Sequence, residues 1–166
     1  MDPSEDALLN WVGHNIADVC PRGVVSDSQN HCAHFVSHIL GLALGKTCRA
    51  LSAHRSGDSA TIAVQDLFAN CGQVGNWSDL PDAQNWGLIF ITNPANVDLD
   101  AQTMRNVPRK HVGIFIGGQR TIYQYKNKLR QVVQQTPVEF GEHYDPPDNA
   151  MFWGSINMVR QLRYED

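Results

Sequence analysis

The segment HVGIFI (residues 111–116) is followed by GGQR (117–120) and then by TIYQY (121–125). Two runs rich in β-branched and aromatic residues, joined by a short connection with glycines, are typical of a β-hairpin. Similar apolar runs at 86–91, 129–133 and 151–163 predict further strands. The second half of the chain is therefore predicted to form an antiparallel sheet.

The first half has a different periodicity. Apolar residues recur at helical spacing in segments 6–20, 31–44 and 61–70, which predicts three helices. Pro21 and Gly45 are the expected ends of the first two. Helices followed by an antiparallel sheet predict an α+β fold, and the length of 166 residues suits one domain spanning 1–166.

Composition and charge narrow the classes of function. The net charge is −4 with no long basic run, which argues against nucleic-acid binding. No apolar run reaches the roughly 20 residues that span a bilayer, so no membrane insertion is expected. The acidic start, Met1 to Asp6, is unlike a signal peptide, so we expect no Sec signal and synthesis in the cytoplasm.

Four cysteines occur, Cys20, Cys32, Cys48 and Cys71, and no two of them form a CxxC pair. Zinc ribbons and thioredoxin-like sites are thereby excluded. Cysteines in a chain without a signal peptide are typically free thiols. The spacing leaves open one disulfide among Cys20, Cys48 and Cys71.

Cys32 is the candidate nucleophile. It falls in the first turn of the predicted helix 31–44, on the apolar face that would pack on the sheet. Unpaired backbone N–H groups and the helix dipole stabilise an anion there, which predicts a lowered thiol pKa.

His111 is the candidate general base, because it opens an apolar strand. Gly113 is on the same strand face, which would leave that face open beside the imidazole. A thiol and an imidazole in this arrangement suit nucleophilic catalysis, and a third polar group would orient the ring. Gln124 on the neighbouring strand is favoured for that role, with Asn127 and Tyr125 as alternatives.

Two segments resemble a known family. The segment Asn30 to Val36 (NHCAHFV) resembles the nucleophile motif of the NlpC-type and CHAP-type peptidoglycan amidases, and HVGIFIG (111–117) is similar to their His-Val-Gly-Ile-Tyr-Ile-Gly strand. The strand at 86–91 is similar to the one that precedes it, with Leu88 in place of Asp. The resemblance covers roughly Ser28 to Asn127, with a longer Cys-to-His spacing than in compact members.

The resemblance implies a papain-like amidase fold in which the nucleophile helix packs on a central antiparallel sheet. It implies hydrolysis of an amide bond in a peptidoglycan stem peptide or cross-link, with no cofactor. Asn30, His31 and Tyr123 are candidates for lining the substrate groove. By analogy with amidase effectors of type VI secretion, the protein would act in the periplasm or cell wall and could have an inhibitory immunity partner.

Parts of the sequence suggest three alternative functions. His31, His34 and His38 have ligand-like spacing on a helix, but Phe35 follows His34, so the motif is not HExxH. The helical wheel puts His34 and His38 opposite the apolar face, so we expect solvent-facing histidines and no metal site. A thiol acyltransferase and a non-catalytic cell-wall binding module on the same scaffold stay open.

Overall fold

The computed structural model of the chain describes residues 3–52 and 57–156. Its α-helices are α1 (Glu5–Trp11), α2 (Ile16–Val19), α3 (Cys32–Leu40), α4 (Val64–Ala69) and α5 (Pro137–Gly141). Its strands are β1 (Val74–Asn76), β2 (Trp86–Thr92), β3 (Val97–Asp98), β4 (Thr103–Met104), β5 (His111–Ile116), β6 (Thr121–Lys126), β7 (Gln131–Gln135) and β8 (Ala150–Gly154). The predicted mixture of helices with an antiparallel sheet is confirmed.

Six strands form one antiparallel sheet in the order β1-β8-β2-β5-β6-β7, and β3 pairs with β4 separately. The predicted hairpin is present as β5 and β6, with Ile114 opposite Tyr123 and Ile116 opposite Thr121. β5 and β6 lie inside the sheet, so the hairpin that carries His111 and Gln124 is supported on both sides.

Different groups of side chains pack on the two faces of the sheet. Val112 and Ile114 belong to the main core, together with residues of α3 such as Phe35. Phe115 and Ile122 belong to a second cluster on the opposite face, together with Phe140 of α5. Because side chains alternate along a strand, His111 shares the face of Phe115 and not the face that packs on α3.

The predicted helix over 6–20 is wrong, since two short helices replace it. α1 ends at Trp11, and Gly13 follows with φ +90°, a conformation that a helix cannot continue. Asn15 then caps α2 by accepting a hydrogen bond from the Ala17 N–H at 2.9 Å.

The predicted helix over 31–44 is shorter than expected. α3 ends at Leu40 because Gly41, with φ +69°, forms a left-handed C-cap, so Gly45 is not the stop. The strand predicted at 151–163 is observed as Ala150–Gly154, and its part from residue 157 lies outside the described residues. β1 and α5 were not predicted, and the expected loop 93–110 contains the small β3–β4 hairpin.

Within the described part of the chain, no helix is both long enough and apolar enough to cross a membrane.

Candidate functional site

Cys32 is the first residue of α3, and the loop before it is held in place by side chains. The Asn30 Oδ1 atom accepts a hydrogen bond from the Cys32 N–H at 3.1 Å. Asn127 fixes the same loop from the end of β6: its Oδ1 accepts from the His31 N–H at 2.9 Å, and its Nδ2 donates to the Gln29 carbonyl at 2.6 Å. The position of the thiol is therefore tied to the β6 end of the sheet.

The Cys32 thiol is buried, with only 1% of the residue exposed. Burial raises its pKa to about 11, although the backbone N–H of Val112 and the Lys110 ammonium act in the opposite direction. The predicted lowering of this pKa is wrong, because the cost of burying a thiolate outweighs the stabilisation from the helix N-terminus. At neutral pH the resting group is a thiol.

The His111 ring is oriented by a chain of side-chain amides. Gln124 Nε2 donates to Gln135 Oε1, which turns Gln124 Oε1 towards His111, where it pairs with Nε2. An amide oxygen only accepts, so Nε2 carries the proton and Nδ1 carries the lone pair. Nδ1 is buried and has no hydrogen-bond partner among the described residues.

Two aromatic side chains cover His111 on the sheet face opposite α3. The His143 ring is stacked on it at a centroid distance of 3.9 Å, and the Phe140 ring lies at 5.6 Å. Burial, followed by the charge of His143, lowers the pKa of His111 to about 3, against the opposing effect of Gln124. His111 is consequently a neutral imidazole, the form that can accept a proton.

Cys32 and the His111 side chain lie on opposite faces of the sheet, near the first residues of β5. The thiol lies on the α3 face and the ring on the opposite face, but the Val112 N–H contacts the thiol. That nitrogen is bonded to the carbonyl carbon of His111, and Nδ1 is the ring nitrogen nearer the main chain. Among the described residues no hydrogen bond joins the thiol to Nδ1, and the residue after His111 is the one that contacts the thiol.

Gly113 does not leave an open face beside His111, so that expectation is wrong. A Cβ at this position would lie 3.0 Å from Ile122 Cγ2 and 3.3 Å from Gln124 Cβ. The glycine instead permits close packing of β6 on β5, which brings Gln124 to the imidazole.

Two cavities meet at Asn30. One, of about 460 Å³, is lined by His111, Asn30 and His143, and also by Lys126, Asn127, Lys128 and Glu142. The other, of about 220 Å³, contains Cys32, and its wall includes Asn30, Lys46 and Lys110. An extended ligand that crosses Asn30 would contact both the thiol side and the imidazole side.

The other candidate residues have structural contacts. The Tyr125 hydroxyl accepts from the Ile16 N–H at 3.2 Å, and Asn127 is engaged with the loop before Cys32, so neither is the partner of His111. Tyr123 is buried and donates to Glu5 at 2.9 Å, away from both cavities. His31 is buried as well, so the expectation that Tyr123 and His31 line the groove is wrong, while Asn30 does line both cavities.

The expectation that His34 and His38 face solvent is also wrong. His34 is buried and His38 is half-buried, and both rings lie beside Cys20 and Cys48. The helical wheel failed here because loops, not solvent, cover the polar side of α3. The His34-x-x-x-His38 spacing was the available signal, but the two cysteines come from segments whose position the sequence did not reveal.

Comparison of the chain with protein-family models, with curated proteins and with solved structures gave no match. The chain is therefore not placed in a family. Function has to be inferred from the side chains that the fold brings together.

Proposed function

We propose that the chain is a cysteine hydrolase of the papain-like amidase type that cleaves an amide bond in the peptide part of peptidoglycan. Cys32 is the nucleophile, His111 the general base and Gln124 the residue that orients the base. The supporting observation is the state of the His111 ring. Its Nε2–H is held by Gln124, its buried Nδ1 has no partner among the described residues, and the next residue, Val112, contacts the Cys32 thiol through its backbone N–H.

The resting pair is neutral, so proton transfer accompanies nucleophilic attack. Nδ1 of His111 accepts the thiol proton as the sulfur attacks the carbonyl carbon of the substrate amide. The carbonyl π electrons move onto oxygen and give a tetrahedral oxyanion. Gln124 keeps Nε2 protonated throughout, so the acquired proton is on Nδ1, facing the reacting atoms.

Asn30 is suited to stabilise this oxyanion. Its Oδ1 is fixed by the Cys32 N–H, and its amide nitrogen has no hydrogen-bond partner among the described residues. Asn30 also lines the cavities of both Cys32 and His111. A preorganised amide donor beside the nucleophile is the kind of group that forms an oxyanion hole.

Collapse of the intermediate breaks the C–N bond. The leaving amine takes the proton from His111 Nδ1, and the acyl group stays on Cys32 as a thioester. Water then attacks the thioester with His111 again as base, which releases a carboxylate and restores the thiol. An amine in place of this water would give an acyl transfer, the reaction of the alternative acyltransferase.

The charges around the cavities favour an anionic peptide. Lys46 and Lys110 line the cavity of Cys32, while Lys126 and Lys128 line that of His111. None of these lysines forms an ion pair with a described residue, although the whole chain has a net charge of −4. Such a local excess of cations suits a substrate with free carboxylates next to the scissile amide, as in peptidoglycan stem peptides.

The same cavities do not suit glycan cleavage. Glycosidases need two carboxyl groups that flank the scissile bond. Among residues 3–52 and 57–156, Glu142 is the single acidic residue that lines either of these two cavities. This lining supports a scissile bond in the peptide over one in the sugar strand.

The test is digestion of purified sacculi with analysis of the fragments by mass spectrometry. We expect new amino and carboxyl ends in the peptides, and no products with Cys32→Ala. Cys71→Ala is the matched control, since Cys71 is also buried but lies outside both cavities. New reducing-sugar ends, or digestion by the Cys32→Ala variant, would refute the proposal, and products formed only with an added amine would indicate the acyltransferase.

A further inference from the structure

Four side chains of types that bind metals, two from α3 and two from other segments, converge beside α3. Cys20 follows α2, His34 and His38 lie one turn apart on α3, and Cys48 belongs to a 3₁₀ turn. The Sγ and ring nitrogen atoms of these four residues all lie within 4.8 Å of one another. No other group of three or more His, Cys, Asp or Glu residues with this property occurs in residues 3–52 and 57–156.

We propose that Cys20, His34, His38 and Cys48 form a structural zinc site. The site is separate from the cavities of Cys32 and His111, and the inference does not depend on the proposed hydrolase activity. Two thiolates and two imidazoles are a donor set that selects Zn²⁺ over hard cations. Four protein ligands complete a tetrahedral shell and leave no position for a substrate, so the role is structural.

The spacing of the donor atoms agrees with one tetrahedral ion. Nitrogens about 2.05 Å from a tetrahedral zinc lie about 3.3 Å apart, and a nitrogen and a sulfur lie about 3.6 Å apart. The His34 Nε2 and His38 Nε2 atoms are 3.2 Å apart, and His38 Nε2 lies 3.8 Å from Cys48 Sγ. These two distances are thus close to those around a bound ion, and the Cys20 Sγ atom lies within 4.8 Å of the other three donors.

A second layer of hydrogen bonds presents His34 to the ion. The Ser26 carbonyl, which only accepts, lies 2.8 Å from His31 Nε2, so this nitrogen carries the proton of the neutral His31 ring. His31 Nδ1 then accepts from His34 Nδ1 at 3.0 Å. This leaves the lone pair of His34 on Nε2, the atom that faces the cluster. Hydrogen bonds to the other ring nitrogen fix the tautomer of metal-binding histidines in the same way.

Backbone N–H groups also point at both sulfurs. The Ala60 N–H donates to Cys48 Sγ at 3.4 Å, and the Val24 N–H contacts Cys20 Sγ. Such donors stabilise thiolate charge. Zn²⁺ would displace one proton from each thiol, so that two thiolates and two neutral imidazoles surround a dication with no net charge.

A cross-link by zinc would stabilise a part of the chain that has little apolar packing of its own. The apolar cluster around the site holds Cys20, Val24, Cys48 and Ala60, with Ile62 packed against it. Such small side chains bury little apolar surface, and the segments that contribute them are mainly irregular. A zinc ion would join these loops to α3, the helix that begins with Cys32.

The experiment is metal analysis of the protein purified without chelators, followed by titration of the demetallated protein with Zn²⁺. We expect one zinc per chain, and X-ray absorption of the wild-type protein should show two sulfur and two nitrogen neighbours. Cys48→Ser and His38→Ala should lower zinc affinity by at least about 10-fold. Cys71→Ser and His14→Ala, which change a buried cysteine and an exposed histidine elsewhere, should bind zinc like the wild type.

X-ray absorption measurements on the wild-type protein test the proposed zinc site even if a variant fails to fold. The proposal would be overturned if the protein binds no zinc although all four of its cysteines react as free thiols. A zinc shell of oxygen ligands, or an intact mass that reveals a Cys20–Cys48 disulfide, would also overturn it. Loss of activity in Cys32→Ala with zinc content unchanged would show that the two sites are distinct.

Discussion

The His143 ring lies flat on the His111 ring, with centroids 3.9 Å apart and planes inclined by 15°. His143 follows α5, so a residue far along the chain closes the sheet face on which the proposed base lies. Gln124 holds the edge of the ring, while Phe140 packs near it and Lys126 contributes a repelling charge. Burial, with repulsion from His143 and Lys126, keeps the imidazole neutral down to low pH, while the hydrogen bond to Gln124 acts in the opposite direction.

Replacement of His143 should therefore change the acid limb of the pH profile. In the wild type, kcat/KM should persist until His111 is protonated, near its pKa of about 3. His143→Ala admits water to the ring, so we expect the acid limb to move up by about 1–3 pH units. His143→Phe keeps an aromatic ring over His111, so the acid limb should stay at low pH. Identical profiles for both variants and the wild type would contradict this role of His143.

Cys32 should react as a buried thiol and not as a thiolate. Because its pKa is raised to about 11, alkylation by iodoacetamide should keep increasing with pH through the alkaline range, without a plateau near neutrality. At neutral pH the folded protein should react at least about 10²-fold more slowly than the unfolded chain, whose thiol has a pKa of about 8.5. Peptide mapping by mass spectrometry measures both rates.

The comparison with Cys71 serves as the internal control. Its pKa is also raised, to about 12, but Cys71 lines neither cavity at the site. Cys32 should hence be labelled before Cys71. A neutral-pH plateau in the rate for Cys32 would instead indicate a thiolate–imidazolium pair.

Gln124 should affect the tautomer of His111 and the rate together. Gln124→Ala removes the acceptor for Nε2–H, so we expect kcat/KM to fall by about 10–100-fold. Gln124→Glu restores an acceptor and should recover part of the rate, while its charge raises the pKa of His111. Exposed Gln134 on β7 provides the control variant Gln134→Ala.

Nitrogen NMR of the imidazole separates this role from a general loss of packing. In the wild type the signals should show the proton on Nε2, and Gln124→Ala should populate the other tautomer. An unchanged tautomer with a reduced rate would mean that Gln124 acts through packing alone.

The sheet and the contact between His111 and Gln124 could be predicted because side chains alternate regularly along a strand. The two-residue period of HVGIFI and TIYQY fixes which side chains share a face, so His111 and Gln124 fall together once the hairpin is recognised. His143 could not be found in this way, because it lies in an irregular segment with no periodicity to place it.

Two of the errors have a common physical origin, which is burial by segments distant in sequence. The helical wheel places His34 and His38 correctly on one side of α3 but cannot show that loops carrying Cys20 and Cys48 cover that side. Likewise, the position of Cys32 at a helix N-terminus predicts a low thiol pKa only if the thiol stays near water. Tertiary contacts decided both cases.

Tyr125 should contribute to stability and not to catalysis. Its hydroxyl accepts hydrogen bonds from the Ile16 N–H at 3.2 Å and from Asn15 Nδ2 at 3.3 Å, at the start of α2. Tyr125→Phe leaves the buried Ile16 N–H without an acceptor, so we expect the free energy of unfolding to fall by about 1–3 kcal/mol. Chemical denaturation measures this loss. A large drop in kcat at a temperature where the variant is fully folded would instead indicate a catalytic role for Tyr125.

The lysines around the cavities should select for carboxylates in the substrate. Lys126→Gln removes one cation from the wall of the His111 cavity, and we expect KM for a carboxylate-bearing peptide to rise by about 3–10-fold with little change in kcat. Amidation of the substrate carboxylates should raise the wild-type KM in the same way. Added salt should reduce the difference in KM between the free and the amidated peptide. Exposed Arg105, which lies outside both cavities, gives the matched control Arg105→Gln. Equal KM values of the wild type for free and amidated peptides would show that these lysines do not recognise the substrate. The Cys32–His111 chemistry would then be tested by the sacculus digestion alone.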